Sequence, residues 1–405
     1  MAVSKNALLA VLAIGFLGLQ SAELHAQTTA NPQPFGQWLD GVREDARARG
    51  ITLSTLDRAL AGLNPIERVL ELDRRQPEFT RTFWGYLDSF VTEERIQRGQ
   101  RLMAQHQALL ARVRDQYGVQ ARFLVAFWGM ETNYGDYTGG FPVIGATATL
   151  AHDLRRSDFF RNELMNALQI VDEGHIAPED MSGSWAGAMG QPQFMPSTFT
   201  GYAVDGDGDG RKDIWGTLPD VFASAANYLS SIGWNDDETW GREVRLPADF
   251  DLDLIDLSIR KHISEWQALG VRRADGSNLP AADIEGALVL PSGYQGPAFL
   301  VYGNYDAILT WNRSTYYALA VGYLSDRLVG RGRLVAERPE DDQPLHRDDI
   351  LDLQRLLNEN GYDSGMPDGL IGTMTRNAVR DYQRAVGLPP DGYPTHGLLT
   401  RLRGG

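Results

Sequence analysis

FLVAFWGMETNYG, Phe123 to Gly135, sets eight consecutive apolar residues directly before a carboxylate. The eight residues from Phe123 to Met130 offer no polar face, and a helix that is apolar all round is a buried one. Such a helix needs a large, mainly helical core around it. The run then ends on a carboxylate, Glu131, with Trp128 three and Phe127 four residues before it on the same face. Burial disfavours the charged form of a carboxyl group and raises its pKa, and the negative end of the helix dipole acts in the same direction. A carboxylic acid still protonated near neutral pH is what protonating a glycosidic oxygen requires. The competing reading is a surface residue that closes the helix, and this stretch alone leaves both open.

Outward from it, apolar residues at spacings of three and four in FGQWLDGVREDARARG, TLSTLDRALAGL and EERIQRGQRLMAQHQALLARVRDQYG predict helices from Phe35 to about Gln120. Helices continue from Arg122 to about Leu229, so this half reads as all-α. Between Arg242 and Tyr305 the texture changes to REVRLP, GALVLPSG and AFLVYG, short β-rich runs bounded by Pro and Gly, with one helix, HISEWQALG, among them. A small β-containing subdomain is expected there, at about 242–305. RSTYYALAVGYLSDRLV then returns to helix, and residues 333–344, charged and without apolar period, read as a linker.

Beyond the linker, DILDLQRLLNENGY and TRNAVRDYQRAVGL are amphipathic helices stopped by Gly361 and Gly387. Each is followed by a Pro-containing Asp-Gly turn, Asp368-Gly369 and Asp391-Gly392, in which Gly accepts positive φ and Asp caps locally. Residues 345–405 therefore form a small helical domain of their own. LQRLLNENGY and DGLIGTMTRNAVRDYQRAVGLPPDG resemble the peptidoglycan-binding module appended to many cell-wall hydrolases, over residues 345 to 403.

Composition narrows the function. The 405-residue chain is 43% hydrophobic and 22% charged, ordinary for globular protein of two or three domains. A net charge of -15 argues against nucleic acid, whose phosphates are held by Lys and Arg. With no Cys, cysteine nucleophiles, thiolate zinc and disulfides are excluded. HExxH, GxSxG and a Gly-rich loop ending in GK[ST] are all missing from the sequence. The N-terminal MAVSKNALLAVLAIGFLGLQSAELHAQ has a basic residue, a short apolar run and a small-residue cleavage site, so residues 1–26 read as a signal peptide. The run is short of the roughly 20 residues a spanning helix needs, so no membrane anchor is expected.

Two further motifs carry chemistry. GSWAGAMGQPQFMPSTF, Gly183 to Phe199, interleaves glycines with Trp185, Gln193 and Phe194, a pattern that lets a ligand approach the backbone closely beside amide and aromatic groups. DGDGDGRKD, Asp205 to Asp213, places Asp at positions 1, 3 and 5 and Gly at 6, the front half of an EF-hand calcium loop. Position 12 is Gly216 rather than Glu, which leaves Asp220, just before a helix, as the replacement.

Together GMETNYG and GSWAGAMGQPQFMPSTFTGYAVDGDGDG resemble the lytic murein transglycosylase B family, as do FWGYLDSFVTEERIQRG, LRRSDFFRNEL, VFASAANYLSSIGW and YDAILTWNRSTYYALAVG. The resemblance spans roughly residues 35 to 330 and implies a lysozyme-like catalytic domain, here within 27–332, mainly α with a small β-containing insert and followed by a three-helix C-terminal domain. By motif it makes Glu131 the single catalytic acid and base, and Tyr86, Arg155, Arg156, Ser184, Gln193, Tyr228, Asn312 and Tyr317 the sugar-binding positions. Trp311 stands where relatives often have Tyr. A structural Ca2+ would be held by Asp205, Asp207, Asp209, the carbonyl of Arg211 and Asp220, with no cofactor required for the chemistry. The implied reaction cleaves the bond between N-acetylmuramic acid and N-acetylglucosamine and closes a 1,6-anhydro ring. A hydrolytic muramidase on the same scaffold and a non-catalytic wall-binding protein are the alternatives. The expected partners are glycan strands and stem peptides of peptidoglycan, met by a monomer in a Gram-negative periplasm.

Overall fold

The computed structural model describes residues 33–74, 81–340 and 342–404; the signal peptide expected at 1–26 lies outside the described residues. The chain divides into two compact units, one running to Gln76 and from Gln97 to Trp234, the other combining Pro77–Ile96 with Asn235–Gly405. No helix among the described residues is long and apolar enough to cross a membrane.

In the first unit, the helix Ala121–Thr132 is buried at every position from Phe123 onward. Its end has a local cause. Asn133 takes left-handed backbone, φ 51°, which Asn tolerates better than most residues, and Tyr134 follows at φ 63°. Their N–H groups close on the carbonyls of Gly129 and Trp128. Gly129 permits this fold-back, because a Cβ there would lie 2.7 Å from the Tyr134 ring.

The helix Val143–His152 is likewise buried from Val143 to Ala151 and packs on Ser157–Asp172, which also carries Pro196–Tyr202. Leu218–Ser231 lies against Gln107–Tyr117 and Ala121–Thr132. Phe123, Phe127, Phe160, Phe194, Phe199 and Phe222 are fully buried, each contributing about 1.5–3 kcal/mol of transfer free energy. The all-α reading of this half needs one correction. Phe141–Pro142 pairs antiparallel with Ser182–Gly183, and bridges from Gly183 to Met189 and from Met189 to Phe194 continue the pairing. Two-residue strands carry no readable period, and their Gly and Pro content reads as loop.

The second unit contains the expected sheet. Five antiparallel strands lie in the order Lys261–His262, Glu285–Val289, Ala298–Val301, Gly241–Arg245 and Arg272–Arg273. Val244 faces Ala298 in register, and Leu288 faces Leu300. Val244, Leu288, Leu300 and Tyr302 form one core with Trp266 of the short helix Ile263–Ala268, whose indole N–H donates to the Gly286 carbonyl at 2.8 Å. Helix Thr315–Leu328 packs on Phe83–Phe90.

The C-terminal helices Arg347–Glu359, Thr373–Ala385 and His396–Leu402 close over Ile350, Leu353, Leu357, Val379, Leu398 and Leu399. Both Asp-Gly turns are closed by the same device, a buried glutamine from the preceding helix. Gln354 Oε1 accepts from the N–H groups of Asp368 and Gly369, while its Nε2 donates to Leu370 O, Thr375 Oγ1 and Asp368 Oδ1. Gln383 repeats the pattern with Gly392 N–H and Asp391 Oδ1.

The linker has no helix or strand, yet it is pinned. Glu243 accepts from the N–H groups of Val335 and Ala336, both at 2.7 Å, and Arg338 pairs with Asp88 at 2.7 Å. Past it, Asp391 accepts from Tyr294 N–H at 2.9 Å and Arg384 pairs with Asp253.

Candidate active site

Glu131 is 8% exposed in the last turn of its helix, with Phe127 and Trp128 buried on the preceding turn. That turn is tied to the 184–194 loop through Gln191. Its Oε1 accepts from Trp128 Nε1 at 2.6 Å, and its carbonyl accepts from Thr132 Oγ1 at 3.1 Å. Thr132 Oγ1 in turn accepts from Gly135 N–H at 3.1 Å, which shapes the loop after the helix. The next carboxylate along the chain, Asp136, is bound by Arg98 and, at 3.0 Å, by Asn133. The Arg98 hydrogen bond holds its pKa below the usual carboxylate value, so Asp136 is built to stay charged.

The residues that the family resemblance nominated for sugar contact fall into both units. In the first, Ser184 closes the turn to Ala188, accepting its N–H on Oγ at 3.0 Å. Gln193 adopts φ 52° and donates from Nε2 to the carbonyls of Thr138 at 3.0 Å and Gly190 at 2.8 Å. Tyr228 packs against Phe194 at 5.6 Å and Tyr202 at 4.8 Å, and burial pushes its phenol pKa up. Arg155 and Arg156 share one buried carboxylate, Asp73. Burial lowers the Arg156 pKa against the pull of Asp73, and its guanidinium lies over the Phe160 ring at 4.8 Å. Arg155, with a side chain 41% exposed against 13% for Arg156, is the one more open to a ligand.

In the second unit, Tyr86 packs against Phe90 with ring centroids 4.5 Å apart and the planes tilted by 31°. Asn312 ends the helix Gly303–Trp311 and accepts from Ser314 N–H at 3.0 Å, and Tyr317 is buried in the first turn of Thr315–Leu328. Sequence reasoning missed Asp73 and Gln191. Both act on partners far along the chain, and the only local signal was the first glutamine in GQPQF.

The acidic loop gathers Asp205, Asp207 and Asp209 with carboxylate oxygens within 4.8 Å of one another. Asp205 is oriented by the N–H groups of Gly208 and Gly210, whose hydrogen bonds hold its pKa low. Asp220, 1% exposed, accepts from Gly206 N–H at 2.8 Å and Asp213 N–H at 2.6 Å. Burial first, then the charges of Asp207 and Asp205, push the Asp220 pKa up. Gly216, where an EF-hand would have its Glu, donates instead to Asp213 Oδ1 at 2.9 Å. The loop is fastened to His175, whose carbonyl accepts from Arg211 and whose Nδ1 accepts from Lys212 N–H. Clustered oxygen donors with mutual repulsion fit a hard divalent cation such as Ca2+.

Residues 34–326 match the family described as transglycosylase SLT domain, and residues 346–402 match a peptidoglycan binding domain. Among curated proteins the chain is similar to membrane-bound lytic murein transglycosylase B of Escherichia coli strain K12, 33% identical over 254 residues. That match covers 60% of this chain and 66% of the relative, so the chain spans just under two thirds of its length. Among solved structures it is similar to SltB3 from Pseudomonas aeruginosa in complex with NAG-anhNAM-pentapeptide, at 49% identity and TM-score 0.88, covering 92% of this chain and 100% of that one. It is also similar to the Escherichia coli lytic transglycosylase Slt35 in complex with calcium, at 27% identity and TM-score 0.63, covering 74% of this chain and 93% of that one.

Proposed function

The chain belongs to the transglycosylase SLT domain family, and on that premise we propose that it is a lytic transglycosylase of peptidoglycan. The observation that carries this reading is the acid at the end of an apolar helix. Glu131 is buried beside Phe127 and Trp128, while the next carboxylate, Asp136, is committed to Arg98. Most glycosidases divide the work between two carboxylates. Here one carboxyl group takes both parts in turn. Protonated Glu131 gives its proton to the oxygen joining C1 of N-acetylmuramic acid to N-acetylglucosamine, and that bond breaks as positive charge grows at C1. The substrate's own acetamide supports that charge. Glu131, now a carboxylate, takes the proton of the muramyl C6 hydroxyl, whose oxygen bonds to C1 and closes the 1,6-anhydro ring. The acid is regenerated and no water is consumed.

Arg155, Arg156, Ser184, Gln193, Tyr228, Tyr86, Asn312 and Tyr317 are the sugar contacts in this reading. The relative crystallised with NAG-anhNAM-pentapeptide supports the anhydro product, and the relative in complex with calcium supports Ca2+ at Asp205, Asp207, Asp209, Arg211 O and Asp220. The ion's chemistry would be structural, drawing the carboxylates of the loop together. Residues 345–403 bind the wall, and the chain works in the periplasm after removal of residues 1–26. Peptidoglycan is anionic and the protein carries net charge -15, so stacking, amide hydrogen bonds and a second binding domain supply the affinity that long-range attraction does not.

The test is digestion of purified peptidoglycan by the mature protein and by Glu131→Gln, with the muropeptides weighed. Products one water lighter than reducing ends, absent with the variant, are expected. Reducing ends would make the enzyme a hydrolase, and no cleavage by the unmutated protein would leave a wall-binding scaffold.

A further inference from the structure

We propose that Gln191 is a positioning residue that fixes the turn bearing Glu131, an inference that rests on Glu131 being the acid. The amide stands between an obligatory donor and an obligatory acceptor. Its Oε1 accepts from the Trp128 indole at 2.6 Å, and its Nε2 donates to the Trp215 carbonyl at 2.8 Å. An indole N–H only donates and a carbonyl only accepts, so the amide has a single chemically consistent orientation. The main chain of the same residue is used as well. Its N–H donates to Ile214 O at 2.8 Å and its carbonyl accepts from Thr132 Oγ1 at 3.1 Å.

These four bonds hold one residue, 8% exposed, between the helix turn Trp128–Thr132 and the segment Ile214–Trp215. Trp128 precedes Glu131 by three positions and Thr132 follows it directly, so both rotation of the last turn and its slide along the helix axis are restrained. The loop after Glu131 leaves room for the amide. Gly135, at φ 84°, would place a Cβ 2.6 Å from Gln191 Oε1 if it carried one.

No isostere serves both bonds. Met would fill the volume and make neither, while Glu would set an oxygen against the Trp215 carbonyl. Because reacting groups must be placed to a fraction of an ångström, a shift of about 1 Å from a residue away from the chemistry can cost about 100-fold in rate.

The test uses the full-length mature chain and a soluble peptidoglycan glycan, with kcat and KM measured for Gln191→Met, Trp128→Phe, the double variant and Glu131→Gln. Thermal unfolding corrects each for the folded fraction. In Gln191→Met, kcat should fall about 10- to 100-fold with KM held within about twofold, since an interaction that places the acid acts on the transition state. Trp128→Phe removes the same bond from its other end and should lose kcat likewise. The double variant should lose little more than either single one, as expected of one shared interaction. Unchanged kcat, a raised KM with kcat intact, or fully additive losses would overturn the proposal. Activity surviving in Glu131→Gln would sink the assignment of the acid and this role with it. An inactive Glu131→Gln beside a fully active Gln191→Met would refute the positioning role alone.

Discussion

Replacing Gln354 by Met should strongly destabilise the C-terminal domain, so that it opens before the sheet region does. The side chain is 1% exposed and makes five hydrogen bonds, two accepted from the N–H groups of Asp368 and Gly369 and three donated to Leu370 O, Thr375 Oγ1 and Asp368 Oδ1. Met fills nearly the same volume and satisfies none of them. The two N–H groups and the Leu370 carbonyl then lose this partner, and a buried polar group left unpaired costs about 1–3 kcal/mol. Asp368 is exposed and its N–H can turn to water, so counting the buried Gly369 N–H alone gives a loss of about 1–3 kcal/mol. A domain of this size, matched over residues 346–402, has a stability of about 3–9 kcal/mol at the usual figure per residue. The loss is thus a large share of what holds the domain folded. Limited proteolysis of the full-length variant at 25 °C should cut within 345–403 while residues 81–340 resist, and binding to sacculi should fall with it. A variant as resistant as the unmutated protein, with an unchanged melting profile, would refute the reasoning that this turn depends on the amide.

Chelation of divalent ions should lower the melting temperature, and Asp207→Asn should abolish the response to added Ca2+; a melt indifferent to chelator would remove the ion from the acidic loop. Glu163, 1% exposed and accepting from Ser197 N–H and Oγ, has its pKa raised by burial above the ordinary 4.5. A raised folded-state pKa means the group favours folding below 4.5 and loses that contribution as pH rises through its folded value. The unmutated protein should therefore lose stability relative to Glu163→Gln as pH climbs from 4.5 toward neutrality, and a difference flat with pH would count against it. Deleting residues 345–405 should weaken binding to sacculi and spare cleavage of short soluble glycans, with unchanged binding as the contrary outcome.

The parts of the fold that could be read from the sequence are those whose cause is local. The run Phe123–Met130 announces its own burial, the Pro, Gly and β-branched texture after Arg242 announces the sheet, and the Asp-Gly turns mark the ends of C-terminal helices. The first three acids of the acidic loop are likewise a matter of spacing. What escaped depends on partners distant in sequence. Asp73 takes up Arg155 and Arg156 from 82 and 83 residues away. Gln191 reaches back 63 residues to Trp128. Gln354 and Gln383 look like surface amides of amphipathic helices until the turns they close are in place. The strand pairing of Phe141–Pro142 with Ser182–Gly183 joins segments that each read as loop.

The pinned linker bears on how the enzyme would work along a polymer. Were residues 333–344 a free coil, the distance they span would fluctuate about a root-mean-square value of about 5–6 Å times the square root of their number, and the C-terminal domain would trail like bait on a line. Glu243 clasps the chain at Val335 and Ala336, and Asp391 and Arg384 fasten the C-terminal helices to Tyr294 and Asp253 of the sheet region. The C-terminal domain and the sheet become the two jaws of a set caliper. If the C-terminal domain holds the wall as proposed, the sheet arrives at a defined offset, and the reach between them is a dimension of the fold and not an average over a moving tether.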